Sequence, residues 1–586
     1  MSCLKSWRQM ESFECDVAVF GSGAAGMAAA LVASLHGLKV IVFEKASELG
    51  GTTATSGGAV WVPGNSLAEA NGQPDNIEDA RRLLADELGD FYRADLVDAY
   101  LESGKEAIDF LSAHTDIQFD VLPCPDYVSN KSGASQGGRA LAPKPFDGSL
   151  LGDSFRLVRA PRPAFMILGG LMLGRKEIPL FLRPWASWEA ATRVVSLIAG
   201  YIRDRLRFAR GTRLLMGNAL IARALNSALR LGVQFRTGEA LDSLLHETGR
   251  VTGALVKGKN GMCKVYARRA VVLATGGFSH SSALRDENSH AFPHKHSLAS
   301  EENTGAAAHA ALRIGAVIDK ELVSPGFWTP ASKAIDSLGK ETLFPYGHLD
   351  RGKPGAIIVD RKGRRFVNES DSYHHVVLAM FRQGAHAPHG TAFIVCDSEF
   401  IRKYGLGLAK PAPFPPGKHV RDGYLARAKS IAELAAKIGI DPVGLLDEVS
   451  RYNGFARAGK DEDFGKGDTA FNRYNGDPLV KPNPCLLPLV QAPFYALEIF
   501  PCTLGMAIGL KTDANARVVD AKGEHINGLY ACGNDMASFT RGTYPGPGIT
   551  IGPAMVFAYR AMRHAADYAR RAIDVTPAPE IIQPKK

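Results

Sequence analysis

No apolar run of about 18 residues or more interrupts the 586-residue chain, so a membrane-spanning helix is not expected. The opening residues, MSCLKSWRQMESFE, lack the apolar core of a secretory leader, and none is expected. Cysteine is sparse, with eight residues at positions 3, 15, 124, 263, 396, 485, 502 and 532 and no CxxC pair. Thiols scattered in this way suit a reducing, cytoplasmic setting and provide no disulfide framework. No His, Cys and carboxylate set has ligand spacing, so no metal is expected. There is no internal repeat, and compositional bias is confined to a Pro/Lys tail after Thr576. Basic charge is present, but no nucleic-acid module accompanies it and no aromatics cluster among the basic residues, so no nucleic-acid partner is expected.

The content is otherwise that of a globular protein, 46% hydrophobic and 22% charged, and the length calls for at least two domains. The net charge of +9 is concentrated. Residues 154–213 hold twelve Lys/Arg against three Asp/Glu, which leaves the remainder close to neutral. Within that segment AFMILGGLMLG is apolar but too short to span a bilayer. A basic helical pattern follows, preceded by Trp185 and Trp188. Two readings stand: an interfacial element touching lipid, or a packed insertion whose arginines are solvated.

The chain is organised around Asp16 to Gly26, DVAVFGSGAAG. An apolar run leads into Gly21-Ser-Gly23-Ala24-Ala25-Gly26, a helical Ala/Leu/Val pattern follows, and a second apolar run ends on Glu44. This order is the βαβ dinucleotide fingerprint, with a tight-turn glycine, a close-approach glycine and a helix-packing glycine. The helix N-terminus offers N–H groups to a pyrophosphate, and Glu44, 18 residues after Gly26, stands where a carboxylate meets ribose hydroxyls.

The acid is followed by KASELGGTTATSGGAVWVPGN, residues 45–65, which resembles the second cofactor segment of FAD flavoproteins of the succinate dehydrogenase and fumarate reductase superfamily. Its small residues let the backbone approach a flat ring, and its hydroxyls supply neutral hydrogen bonds. The resemblance implies FAD as cofactor, held through Gly21, Gly23, Ala24, Ala25, Gly26, Glu44, Lys45, Gly51, Thr52, Thr53, Ser56, Gly57 and Gly58. It also implies contacts from the Ala274-Thr275-Gly276-Gly277 turn, from Gly533 and Asn534, and from Gly548 and Thr550 near the C-terminus.

Three further stretches, DY…GGR at 126–139, RRFVNESDSY at 364–373 and TYPGPGITIGPA at 543–554, resemble the 3-ketosteroid Δ1-dehydrogenase family. The family implies removal of a steroid C2 proton with hydride transfer from C1 to FAD. Carried onto this sequence, Tyr373 is the general base and Tyr127 its assistant, while Tyr544 and the Gly548 N–H hold the C3 carbonyl. A proton beside a ketone becomes acidic only when the developing enolate oxygen meets fixed donors. A Tyr-Pro-Gly-Pro-Gly loop supplies two such donors without placing a charge in an apolar pocket. Tyrosine is a weak base at its usual pKa near 10, so its pKa must fall or its proton be relayed.

The related dicarboxylate reductases carry an arginine where this chain has Ser372, and TLGMAIG (503–509) replaces their HxxGG-like segment, so a dicarboxylate substrate is not expected. The Tyr-x-Ser loop of the Δ4-(5α) dehydrogenases is likewise replaced by Tyr544–Gly548. Δ4-(5α) chemistry and desaturation of another alicyclic ketone remain as alternatives, with a membrane- or partner-binding flavoprotein lacking this activity as a third. The electron acceptor is unassigned, a quinone being one option. Glu369 reads as a structural residue, and His374 and His375 as the start of a helix. The expected fold is α/β: a two-dinucleotide-type, Rossmann-like FAD-binding domain from residues 1–288 and 499–586, with an α+β catalytic domain inserted at 289–498.

Overall fold

The computed structural model describes residues 11–289, 292–335, 341–347, 350–384 and 390–574. The first ten residues and the Pro/Lys tail after Thr576 lie outside the described residues.

The apolar runs flanking the glycine fingerprint form neighbouring strands. β1 (Ser12–Phe20) pairs in parallel with β2 (Val40–Glu44), Val17 against Val40 and Phe20 against Phe43. The crossover is α1 (Ala24–Leu35), where Ala24 to Ala33 are all buried. Its alanines keep it thin enough to lie between the sheet and the long C-terminal helix. β2 is buried along its whole length, as parallel strands covered on both faces are. The sheet runs Gln234–Thr237, β2, β1, Gly261–Leu273, Arg250–Gly258, His525–Ala531, Arg517–Val519, with Ala240–Glu247 paired to Arg250–Gly258. His525–Ala531 also pairs in parallel with the end of Gly261–Leu273, so both ends of the chain build this layer.

The second sheet is centred on Phe494–Met506, with Gly326–Ile335 and Ala392–Cys396 antiparallel on its two sides. One face packs beneath the helix Tyr373–Arg382, the other beneath Ile431–Ile438 and Pro442–Ala458. The boundary expected at 498/499 cuts through Phe494–Met506. All of that strand's ladder pairing lies within the second sheet. The Gly-, Pro- and Ser-rich stretch 122–153 holds two short strands, Ala140–Pro143 paired to Val60–Trp61 and Phe146–Asp147 paired to Arg213–Leu214.

In residues 154–213 the apolar run folds as a tight hairpin, Met166–Ile167 against Leu171–Met172, and the basic run forms α2 (Trp188–Arg205). α2 buries only Ala190, Val194 and Leu197, one stripe at helical spacing. Five of the arginines face protein. Arg193 and Arg213 share Glu177 at 2.7 and 3.0 Å, Arg159 reaches Ser300 at 2.9 Å, and Arg162 donates to the Leu298 carbonyl. Arg210 lies 4.5 Å from the Phe155 ring centroid, and burial holds its guanidinium down at about 10. The opposite face of α2 is open: Trp188 is 84% and Leu206 85% exposed, with Trp185, Val195 and Ile202 also exposed among Arg183, Arg203, Arg205 and Arg207. Among the described residues no helix is long and apolar enough to cross a membrane.

Candidate active site

One cavity of about 1060 Å³ runs from the fingerprint turn to the tyrosines of the second sheet's side. Its walls include every residue assigned from the sequence except Gly26 and Gly277. Gly26 packs against the Gly21 carbonyl, the role its place in the fingerprint predicts, and the Gly277 N–H is bound by Asp535 at 2.9 Å.

The fingerprint end is built by backbone geometry. Gly21 has φ of 104°, and a Cβ there would lie 2.1 Å from the Ala274 carbonyl oxygen. That contact locks the ATGG turn against the first turn of the fold. The Ala24 N–H is capped by Thr53 Oγ1 at 3.1 Å, which ties the fingerprint to the 45–65 segment. The Glu44 carboxylate accepts the Ser22 hydroxyl at 2.6 Å, the Ser22 N–H at 3.1 Å and the Ala46 N–H at 2.9 Å. It therefore braces the turn while lining the cavity. Lys45 pairs with Glu302 at 3.1 Å. These features fit a dinucleotide: a glycine turn opening onto a helix N-terminus, an acid at the end of β2, and a wall of small residues from 51 to 58.

No local pattern marks Asp535. It is buried and accepts the Thr275 N–H, the Thr275 hydroxyl at 3.0 Å and the Gly277 N–H. Burial pushes its carboxyl up to about 6 against the pull of those donors. It joins the ATGG turn to the Gly533-Asn534 turn across 260 residues.

At the other end three phenols meet. Tyr127 donates its hydroxyl to Tyr373 Oη at 3.2 Å. The Tyr544 ring centroid lies 5.6 Å from that of Tyr127 and 5.2 Å from that of Tyr373. Tyr544 also hydrogen-bonds Tyr373 and Thr550. Burial raises all three phenols above their ordinary value, Tyr127 and Tyr373 well above it. Of the two options open to a tyrosine base, a lowered pKa and a shared proton, the surroundings here oppose the first and the Tyr127–Tyr373 bond serves the second.

Each phenol stands on its own support. Tyr373 is the first residue of α3 (Tyr373–Arg382), which Ser372 caps by accepting the His375 N–H at 3.2 Å, so the two histidines do begin a helix. Beneath that turn lies a dry quartet of charges. Arg365 grips Glu369 at 2.7 and 2.9 Å and Asp461 at 2.8 and 3.1 Å, and Lys466 reaches Glu369 at 3.2 Å. Arg365 and Lys466 hold the Glu369 carboxyl down at about 2 against its burial. Glu369 is thus structural. Two cations balance two carboxylates, and removing one member of such a set costs about 3–5 kcal/mol.

The DY…GGR motif acquires a physical meaning in the same way. Asp126 accepts Arg139 Nη1 and the Trp61 indole N–H, both at 2.8 Å, while Arg139 also grips Asp75 at 2.8 and 2.9 Å. Tyr127 donates its N–H to the Pro545 carbonyl at 2.7 Å, which fastens its loop to the one carrying Tyr544. Gly548 has φ of 99°, and a Cβ there would lie 2.6 Å from the Val60 backbone. Its carbonyl accepts from Trp61 and Gly552, whereas its N–H has no partner among the described hydrogen bonds. A phenol and a free backbone N–H on a stiff loop are a donor pair for a carbonyl oxygen.

Comparison with known proteins gives three findings. A family model described as FAD binding domain matches residues 16–551. Among curated proteins, the chain is 38% identical to a 4-oxocyclohex-2-ene-1-carboxylate 5-dehydrogenase of Sinomonas cyclohexanicum, over 96% of this chain and 95% of that one. It is 36% identical to a 3-oxosteroid 1-dehydrogenase of Mycobacterium tuberculosis, over 95% and 99%. Among solved structures, it is similar to a 3-ketosteroid Δ1-dehydrogenase from Sterolibacterium denitrificans in complex with 1,4-androstadiene-3,17-dione. That similarity has a TM-score of 0.86 and 34% identity, and covers 95% of this chain and all of that one.

Proposed function

The chain belongs to the FAD-dependent 3-ketosteroid Δ1-dehydrogenase family, and on that premise we propose that it introduces a C1–C2 double bond into a 3-oxosteroid. The observation that carries this reading is the meeting of Tyr127, Tyr373 and Tyr544 beside Gly548, in a cavity continuous with the dinucleotide fingerprint. Bound FAD supplies the hydride acceptor.

Tyr544 and the Gly548 N–H donate to the C3 oxygen and stabilise the charge that builds there as the C2 proton leaves. Tyr373 takes that proton. Tyr127, donating to the Tyr373 oxygen, shares the negative charge that a phenolate would otherwise hold alone in an apolar wall. Ala274, Thr275, Gly276 and the small residues of the 51–58 stretch would hold the cofactor in the same cavity.

A single-ring ketone would fit the same donors, and the Sinomonas relative carries the name of such an activity. Anaerobic mixing of the FAD-loaded protein with 4-androstene-3,17-dione, followed near 450 nm, tests the steroid reading. Bleaching with formation of a 1,4-dien-3-one is expected. Bleaching by cyclohexanones alone would move the substrate to the single-ring class, and an oxidised flavin with every ketone would overturn the dehydrogenase reading.

Residues 154–213 support a second element of function, contact with an anionic membrane surface. The exposed Trp185, Trp188, Val195, Ile202 and Leu206 are interleaved with exposed arginines, and Ile178 of the same segment lines the cavity. Basic residues near an anionic leaflet contribute about 1 kcal/mol each. A bilayer seat would bring an apolar substrate, and a quinone acceptor, to the mouth of the cavity. Co-sedimentation with anionic vesicles is expected and should fall sharply in a Trp185→Ser, Trp188→Ser double variant that keeps its flavin absorbance. Equal sedimentation of the two proteins would remove this reading.

A further inference from the structure

Arg175 belongs to the wall of the active-site cavity, although it comes from the basic segment. Its guanidinium lies 4.9 Å from the Tyr474 ring centroid, and Nη1 donates to Tyr474 Oη at 2.9 Å. Tyr474 sits on the helix Ala470–Asn475, one turn from Phe471, and Phe471 packs on Tyr127 at 4.7 Å between ring centroids. Arg175 therefore stands at the far end of an aromatic row whose near end is Tyr544.

Arg175 is an exposed side chain whose charge is met by solvent and not by protein. Among the described residues no carboxylate lies within ion-pair distance of Arg175, and Glu177, two residues on, is taken by Arg193 and Arg213. The charged neighbours beyond it are Lys353, which donates to the Gly476 carbonyl at 2.7 Å, and Lys403, paired with Asp477 at 2.7 Å. Arg175 and Lys403 both act on Lys353 as like charges, and Asp477 as the opposite one. A guanidinium has five donors in a planar fork, and the described bonds engage one of them. The Tyr474 ring and hydroxyl hold one side of that fork, and its remaining donors can grip a carboxylate through two parallel bonds.

We propose that Arg175 is a specificity-determining residue that binds a carboxylate carried by the substrate at the end remote from its ketone. The proposal rests on the ring-ketone reading above and narrows it to keto acids. Two kinds of molecule present that chemistry: a 3-oxosteroid with a side-chain carboxylate, and a single-ring oxocarboxylate.

The test uses the FAD-loaded full chain and its Arg175→Gln and Arg175→Lys variants. The substrates are a 3-oxo-4-ene steroid acid, 4-oxocyclohexanecarboxylate, the methyl ester of each, and 4-androstene-3,17-dione. In one of the two series the wild type should prefer the acid to its ester by about tenfold or more in kcat/KM, chiefly through KM. Arg175→Gln should erase that preference, with Arg175→Lys between it and the wild type. The series that shows the preference identifies the source of the carboxylate. Equal use of acid and ester by the wild type, or a preference that survives Arg175→Gln, overturns the proposal while leaving the dehydrogenase reading intact. A wild type that uses the neutral ketone but neither acid overturns it as well. Flavin that no ketone bleaches overturns the reading on which it rests.

Discussion

Tyr373→Phe is expected to lower kcat by roughly 10²–10⁴-fold, the range supplied by a positioned acid or base, while the flavin spectrum stays unchanged. The exchange removes one hydroxyl and leaves the ring packed against Tyr127 and Tyr544 at 5.5 and 5.2 Å. The pH profile separates a base from a bystander. Burial places the Tyr373 phenol well above its ordinary 10.0, so at neutral pH the base-competent form is a small fraction. Below its pKa that fraction grows about tenfold per pH unit. The wild-type kcat/KM should therefore climb from neutral pH through pH 9. The residual activity of Tyr373→Phe should lose that slope. A variant within threefold of wild type, or one with the same pH slope, would remove Tyr373 from the role of base.

Tyr544→Phe is expected to reduce kcat and kcat/KM together, by roughly 10²–10³-fold, because its hydroxyl bonds most strongly to an oxygen whose charge grows in the transition state. FAD binding should persist, since the hydroxyl hangs from a loop already seated on Val60 and Trp61. A rise in KM with kcat untouched would show that Tyr544 only holds the ground-state ketone. Removing the second donor is a poorer experiment. A side chain at position 548 would meet backbone 2.6 Å away at a φ of 99°, and the whole loop would move.

Local order was the legible part of this chain. The fingerprint and the helix that begins at Tyr373 each rest on patterns that fit within a few residues. The cluster of phenols was legible only through resemblance to a family, for nothing local relates Tyr127 to a residue 246 positions away. The supports of the site left no local mark at all. Arg139 pairs with Asp75 and Asp126, and Arg365 with Glu369 and Asp461, through contacts that the topology creates. Ala140–Pro143 was hidden for the same reason: four residues ending in proline carry no strand signal, and the partner Val60–Trp61 makes them one. Charge counting marked residues 154–213 as unusual, but could not separate the arginines that hold protein from those that face outward or line the cavity.

The loop that carries Tyr544 rests on Val60 and Trp61, which follow, after Ala59, on the Ser56-Gly57-Gly58 wall of the cavity. If order in one ledge carries to the other, flavin and ketone act as effectors of each other, and the coupling is reciprocal. The factor by which cofactor tightens the grip on the ketone must equal the factor by which ketone tightens the grip on the cofactor.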